Sequence, residues 1–93
     1  MAHVIAHQQK ILARVNRLIG QMNALKRDIE CAESHEQCGA IMQQIASIRG
    51  AINGLSMLYL DEHVREHIAR GKTVEDRDRA ADEFLTALKS FRT

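Results

Sequence analysis

The stretch CGAIMQQIASIRGAINGLSMLY, residues 38–59, decides the fold of this 93-residue chain. Its main apolar positions follow one another at alternating steps of three and four residues: Cys38, Ile41, Ile45, Ile48, Ile52, Leu55 and Tyr59. Such steps place side chains along one side of an α-helix, in the seam of a coiled-coil-like assembly. The stretch therefore predicts a long amphipathic helix that packs against a partner.

The flanking sequence predicts two more helices. Residues 4–30 carry the same spacing, at Ile11, Val15, Leu18, Met22, Leu25 and Ile29. Ser34-His35-Glu36-Gln37 is a capping box, so the second helix should begin there and continue for about 36 residues to a stop at Gly71. A weaker capping sequence at residues 73–76 should open a short third helix, whose predicted apolar stripe is Ala81, Phe84, Leu88 and Phe91.

The composition supports an all-α fold in one domain. There is no proline and there are only five glycines, which argues against an all-β domain with many turns. A chain of 93 residues supports one small core, so we expect a single domain over residues 1–93. With one Tyr, two Phe and no Trp, that core is short of large side chains. We therefore expect a three-helix protomer that completes its core by self-association.

The sequence favours a cytoplasmic protein. No segment approaches the roughly 20 apolar residues of a membrane span, and the start of the chain lacks the pattern of a secretory signal. Cys31 and Cys38 lie seven residues apart without the spacing of a disulfide framework. We therefore expect reduced thiols and no membrane partner.

The charge distribution points to a basic surface on the first helix. The net charge is only +1, but residues 1–27 contain five basic residues and no acid, and all twelve acids follow from Asp28 onward. Lys10, Arg14 and Arg17 are spaced to share one helix face, away from the apolar seam. Such a face is often merely solvated, but the lack of nearby acids favours binding to nucleic acid phosphates.

His63 and His67 are candidate metal ligands, because residues four apart lie on the same face of a helix. Glu66 neighbours that face and could supply an oxygen ligand. The string from His63 to His67 also matches the inverted zinc-peptidase motif H-x-x-E-H. A peptidase needs a further ligand, a substrate cleft and a larger scaffold, so we do not expect an enzyme.

Cys38 and the N-terminus could complete such a site. Removal of Met1 would leave the Ala2 amine beside the His3 imidazole, and this pair can chelate a metal. A turn near residues 31–34 would make the first two helices antiparallel neighbours and bring His3 level with His63. Cys38 cannot join them within one protomer, because about 37 Å of helix separates it from His63.

Two antiparallel copies of the second helix remove this difficulty. If the two-fold axis passes between Gly50 and Ala51, Cys38 lies opposite His63 of the partner subunit, and two equivalent sites form. Small residues at the axis, with Gly54 one turn further, would permit close approach of the helices. Cys31 and His35 could form a second cluster with Cys38 or be solvated loop residues, and His7 either supports the ligands or lies on the surface.

Two strings, RVNRLIGQ at residues 14–21 and QQIASIRGAINGL at residues 43–55, resemble the CsoR/RcnR family of metal- and formaldehyde-sensing transcriptional repressors. The resemblance spans nearly the whole chain. It implies an all-helical antiparallel dimer that assembles as a dimer of dimers and binds double-stranded operator DNA when metal-free. It also implies DNA contacts for Arg14, Arg17 and Arg49, beside Lys10 from the spacing argument.

Members of this family differ at four metal-ligand positions. The residues at these positions here are His3, Cys38, His63 and His67, and this set is similar to that of the nickel- and cobalt-sensing branch. Ni(II) or Co(II) would then release the repressor and derepress a metal efflux gene. Copper-type members carry Cys where His67 stands, and Zn(II) could bind the same groups. Formaldehyde-sensing members use the Cys and the N-terminal amine, and His67 argues against that branch. An alternative hypothesis, from a different functional class, is a helical metal-storage protein or hydrolase with a site formed by His63, Glu66 and His67.

Overall fold

The computed structural model describes the backbone of residues 2–91 and the side chains of residues 7–91. It contains three α-helices, α1 (Ala2–Glu30), α2 (His35–His63) and α3 (Val74–Ser90). A π-helical segment, Val64–Ala69, follows α2 directly. The described residues contain no strand, which confirms the predicted all-α, three-helix protomer.

Both predicted helix starts are capped as the sequence indicates. The Gln37 N–H donates to Ser34 Oγ at 3.4 Å, and the Ser34 N–H donates to Gln37 Oε1 at 2.9 Å. At the start of α3, the Asp76 N–H donates to Thr73 Oγ1 at 3.0 Å. Side chains therefore satisfy backbone donors that a helix start leaves without an intrahelical acceptor.

The prediction of one α-helix from the capping box to Gly71 is wrong in its last turns. The Arg70 N–H donates to Arg65 O at 3.1 Å, five residues back, as in a π-helix. The segment ends at Ala69, two residues before Gly71. At Gly71 a Cβ would lie 2.7 Å from His67 O and would also collide with Arg77 Cγ. Only glycine fits this position without rearrangement.

The chain divides into two compact units, Met1–Ser56 and Met57–Thr93. In the first unit, α1 packs against the first part of α2, and Leu25 and Ile48 are buried. Gln44 Nε2 donates to Asp28 Oδ2 at 2.6 Å between these helices. In the second unit, the π segment packs against α3, and Ala80 is buried. A single domain over the whole chain stays a prediction.

The predicted apolar seam of the first unit divides into two stripes. Ile48 is buried and Ile41 is half-buried, and both line cavities between α1 and α2. Ile45 and Ile52, which also belong to the seam, are 50% and 48% exposed. On α1, four large apolar side chains are about half exposed: Leu12, Ile19, Met22 and Ile29. One stripe thus packs within the protomer and the other faces outward.

The apolar stripe of α3 also differs from the prediction. Phe84, Ala81 and Leu88 are half-buried as expected, but Phe91 is 52% exposed. The most buried residue of α3 is Ala80, because its small side chain lets α3 approach the π segment closely. Among the described residues, no helix is long and apolar enough to cross a membrane.

Candidate metal site and basic surface

The two histidines of the second unit lie together, as their spacing predicts. His63 is the last residue of α2 and His67 lies in the π segment. Their ring centroids are 5.2 Å apart and the ring planes are inclined by 48°. Imidazoles at this distance can supply two nitrogen ligands to one metal ion after small rotations of the side chains.

Helix α3 fixes one nitrogen of His63. His63 Nε2 lies 2.9 Å from the carbonyl oxygen of Ala80 and 3.9 Å from Glu83 Oε2, and the side chain is only 18% exposed. A carbonyl oxygen can only accept, so Nε2 carries the hydrogen in this contact. Nδ1 then keeps its lone pair for a metal, in the arrangement by which proteins commonly orient a ligating histidine.

Ala80 and Glu83 are absent from the residues that the sequence predicted for this site. They come from α3, and Ala80 is 17 residues from His63 along the chain. Neither residue belongs to a recognisable motif with the histidines. Their role depends on how α3 packs, so no local pattern could have revealed it.

Glu66 lines the same cavity as the two histidines, and its carboxylate has a cationic partner, Arg70. Its carboxylate accepts a hydrogen bond from Arg70 Nη1, and its side chain is 20% exposed. Together with the histidines these residues line a cavity of about 530 Å³, which α3 closes on one side.

The remaining predicted ligands do not belong to the second unit. Cys38 belongs to the first unit, where its free thiol is exposed. The side chains of Ala2 and His3 lie outside the described residues. Among the side chains that are described, no three His, Cys, Asp or Glu residues are arranged to hold a metal ion. Cys31 and His35 are exposed, and His7 is half-buried.

The four basic residues predicted to contact DNA are all exposed in the first unit: Lys10, Arg14, Arg17 and Arg49. Within the described part of the chain, none of them forms an ion pair. Arg14 lies across α2, with Nη1 3.1 Å from the position that a Cβ of Gly54 would occupy. Gly54 therefore accommodates Arg14 of its own chain, whereas a Cβ on Gly50 would meet open space. The predicted role of Gly54 in a crossing between two subunits stays a prediction.

Comparison with known proteins gives one consistent result. The family described as "Metal-sensitive transcriptional repressor" matches residues 7–90. The transcriptional repressor RcnR of Salmonella paratyphi B is 41% identical over 98% of both chains. A protein of Serratia marcescens, described by its place in the bioA 5′ region, is 44% identical over 98% of both chains. A variant of the formaldehyde-responsive regulator FrmR from Salmonella enterica serovar Typhimurium has a similar structure, with a TM-score of 0.84, 36% identity and coverage of 94% and 96%.

Proposed function

The chain belongs to the family of metal-sensitive transcriptional repressors, and from this premise we propose that it is a repressor released from operator DNA by Ni(II) or Co(II). The observation that carries the proposal is the His63–His67 pair, oriented by the carbonyl oxygen of Ala80. The regulated gene would encode a metal efflux protein, and the repressor would act in the cytoplasm.

The donor set fits a metal site that needs two protomers. The described side chains of one protomer do not supply three clustered ligands. We assign His63 Nδ1 and His67 to the site, with Cys38 of the partner subunit and with His3 and the Ala2 amine as further donors. Glu66 is a candidate oxygen donor.

The exposed stripe of α2 supports this pairing. Cys38, Ile45 and Ile52 are exposed at steps of seven residues, so they lie on one side of the helix. A second copy packed there would bury apolar surface that the protomer leaves in water, which is favourable by roughly 25 cal/mol per Å². Gly50, at the predicted axis, offers open space for a close crossing. The proposed assembly is an antiparallel homodimer, paired again into a homotetramer.

The donor atoms favour Ni(II) or Co(II) over Cu(I). One thiolate combined with several nitrogens and a carboxylate suits a six-coordinate borderline metal, whereas Cu(I) selects a thiolate-rich site. Zn(II) can use the same groups in a tetrahedral arrangement. The RcnR relative supports the nickel and cobalt assignment through its sequence similarity over the whole chain.

Metal can release DNA only if the DNA-bound and free conformations bind metal with different affinity. A metal held by His63 and by Cys38 of the partner subunit would fix the arrangement of the two protomers relative to each other. The hydrogen bond from His63 Nε2 to Ala80 O would extend this constraint to α3. Arg14, Arg17, Arg49 and Lys10 would contact the phosphates of the operator.

A titration of operator binding tests the proposal. We expect the metal-free protein to retard a DNA fragment from upstream of its own gene, and Ni(II) or Co(II) to release it. Arg14→Ala combined with Arg17→Ala should weaken DNA binding without changing metal affinity, because both arginines are exposed. Lys26→Ala is the matched control, since Lys26 lies on the same helix but faces Glu30 at 4.0 Å.

Two outcomes would contradict the proposal. Metal binding without any operator binding would favour the metal-storage or hydrolase alternative. Operator release by formaldehyde but not by metal would favour the second candidate, a formaldehyde-responsive repressor. The structural similarity to FrmR supports that candidate, in which the Cys38 thiol and the Ala2 amine condense with one formaldehyde to a methylene bridge and one water.

A further inference from the structure

We propose that Gly54 is a positioning residue for DNA binding, because its lack of a side chain lets the Arg14 guanidinium lie against α2 in the orientation that contacts the operator. This inference rests on the proposed function in one respect, that Arg14 contacts DNA. It is independent of which effector, metal or formaldehyde, releases the repressor. Gly54 acts through Arg14 and needs no DNA contact of its own.

The contact between Arg14 and Gly54 joins the two helices of the first unit. Arg14 Nη1 lies 3.1 Å from the position that a Cβ of Gly54 would occupy. Non-bonded heavy atoms attract each other best at roughly 3.5–4.0 Å. A methyl group at position 54 would therefore displace the guanidinium from the place that it occupies in the wild-type protein.

Arg14 keeps its hydrogen-bond donors available at this place. Within the described part of the chain, its side chain forms no hydrogen bond and no ion pair. A guanidinium carries five N–H donors in one plane. These donors can all meet phosphate oxygens, while the close fit over position 54 restricts where the flat head group lies.

The register of α1 against α2 accounts for this contact. Three polar residues at steps of seven line one side of α1: Arg14, Gln21 and Asp28. Asp28 Oδ2 accepts a hydrogen bond from Gln44 at 2.6 Å, and Gln21 shares a cavity of about 190 Å³ with Ser47. Gly54 is seven residues after Ser47, so both lie on the same side of α2. The packing of the two helices thus brings Arg14 to Gly54.

This side of α2 faces away from the apolar stripe that we assign to the partner subunit. Ile45 and Ile52 of that stripe are about half exposed. Gly54 is two residues after Ile52 and nine after Ile45, which is about 180–200° around the helix. A dimer formed through the stripe would therefore leave the side with Arg14 and Gly54 open to DNA.

A restricted arginine binds phosphate at a smaller entropic cost. Arginine has many rotamers, and ordering such a side chain on binding lowers the affinity. The fit over Gly54 removes part of this cost before DNA arrives. Alanine at position 54 would displace the guanidinium and restore the cost. We expect operator affinity to fall by about 2- to 10-fold.

An operator titration of the metal-free protein tests the inference. The probe is the DNA fragment from upstream of its own gene, at one fixed salt concentration. Gly54→Ala should bind this fragment more weakly than wild type by the factor given above. Gly39→Ala is the matched control, since it replaces another glycine of α2 where a Cβ meets nothing within 4 Å. Equal affinities of the two variants would overturn the inference.

A double-mutant cycle separates positioning of Arg14 from other effects. In an Arg14→Ala background, Gly54→Ala should cause no further loss of DNA affinity. In an Arg17→Ala background, it should keep its full effect. A loss that persists without Arg14 would overturn the inference and would indicate that Gly54 acts through a crossing between subunits.

Stability provides the last readout. Gly54→Ala should not lower the free energy of unfolding, because alanine is favoured over glycine inside a helix. Chemical denaturation measures this, and a loss of stability that accompanies the loss of affinity would overturn the positioning role. Failure of the wild-type protein to bind the operator would contradict the proposed function, and the inference would fall with it. Normal wild-type binding with an unchanged Gly54→Ala would contradict the inference alone.

Discussion

Gly71 shows how one residue determines the geometry of the second unit. The Arg77 side chain folds over it, and Arg77 Nη1 donates to Gly71 O at 3.2 Å. A Cβ at position 71 would lie 2.7 Å from His67 O, too close for van der Waals contact. The backbone of the segment that carries His67 and the start of α3 can approach this closely only because position 71 lacks a side chain.

Gly71→Ala should lower the free energy of unfolding by about 1–3 kcal/mol, because the added methyl group forces the backbone or Arg77 to move. Chemical denaturation at one fixed protein concentration measures the change. Gly39→Ala is the control, since a Cβ there meets nothing within 4 Å and alanine favours a helix. Equal effects from the two substitutions would show that close packing at Gly71 does not matter.

Among the helices, α3 supports the candidate metal site through one packed contact. It brings Ala80 O and Glu83 to His63, while the histidines themselves come from α2 and the π segment. The ion pair between Asp61 and Arg65 links the end of α2 to the π segment at 2.9 Å and raises the pKa of Arg65. Both side chains are more than half exposed, so this pair contributes little to stability. Correct formation of α3 matters more.

Thr73→Ala should therefore affect both stability and metal binding. It removes the side-chain oxygen that accepts the Asp76 N–H, at a cost of about 1 kcal/mol. Fraying of α3 should loosen the contact between Ala80 and His63 and weaken Ni(II) or Co(II) binding. Thermal unfolding and a metal titration measure the two effects. Thr73→Ser retains the capping oxygen and should behave as wild type, so a defect in that variant would argue against the cap.

At the scale of the whole molecule, the exposed apolar surface is the dominant feature. Only three hydrophobic side chains among the described residues are buried: Leu25, Ile48 and Ala80. Twelve large hydrophobic side chains in that part of the chain are exposed, from Leu12 on α1 to Phe91 at the end of α3. A protomer with so little buried surface is expected to gain most of its stability from association.

Subunit mixing tests the proposed assembly and its metal site together. Cys38→Ala and His63→Ala homodimers should each bind metal weakly, because every site loses one ligand. A mixed dimer has one end with both residues intact and one end with neither. Mixing should therefore restore up to about half of the sites, measured by the thiolate-to-metal absorption. No restoration despite demonstrated subunit exchange would mean that these residues do not meet across an antiparallel interface.

The sequence by itself determined the features that depend on near neighbours. Helix spacing predicted α1 and α2, the capping residues Ser34 and Thr73 predicted two helix starts, and four-residue spacing brought His63 and His67 together. These features are local, because hydrogen bonds and side-chain contacts within a few residues decide them. The same reasoning could not distinguish the two stripes of the α2 seam, since both have the same periodicity.

Only the tertiary structure decided which stripe packs inside the protomer and which faces outward. It also decided that the helix after His63 widens into a π segment, and that Ala80 O fixes the orientation of His63. These outcomes depend on contacts between residues far apart in the chain, such as His63 with Ala80. Their energies come from how whole helices fit against each other, which no short stretch of sequence encodes.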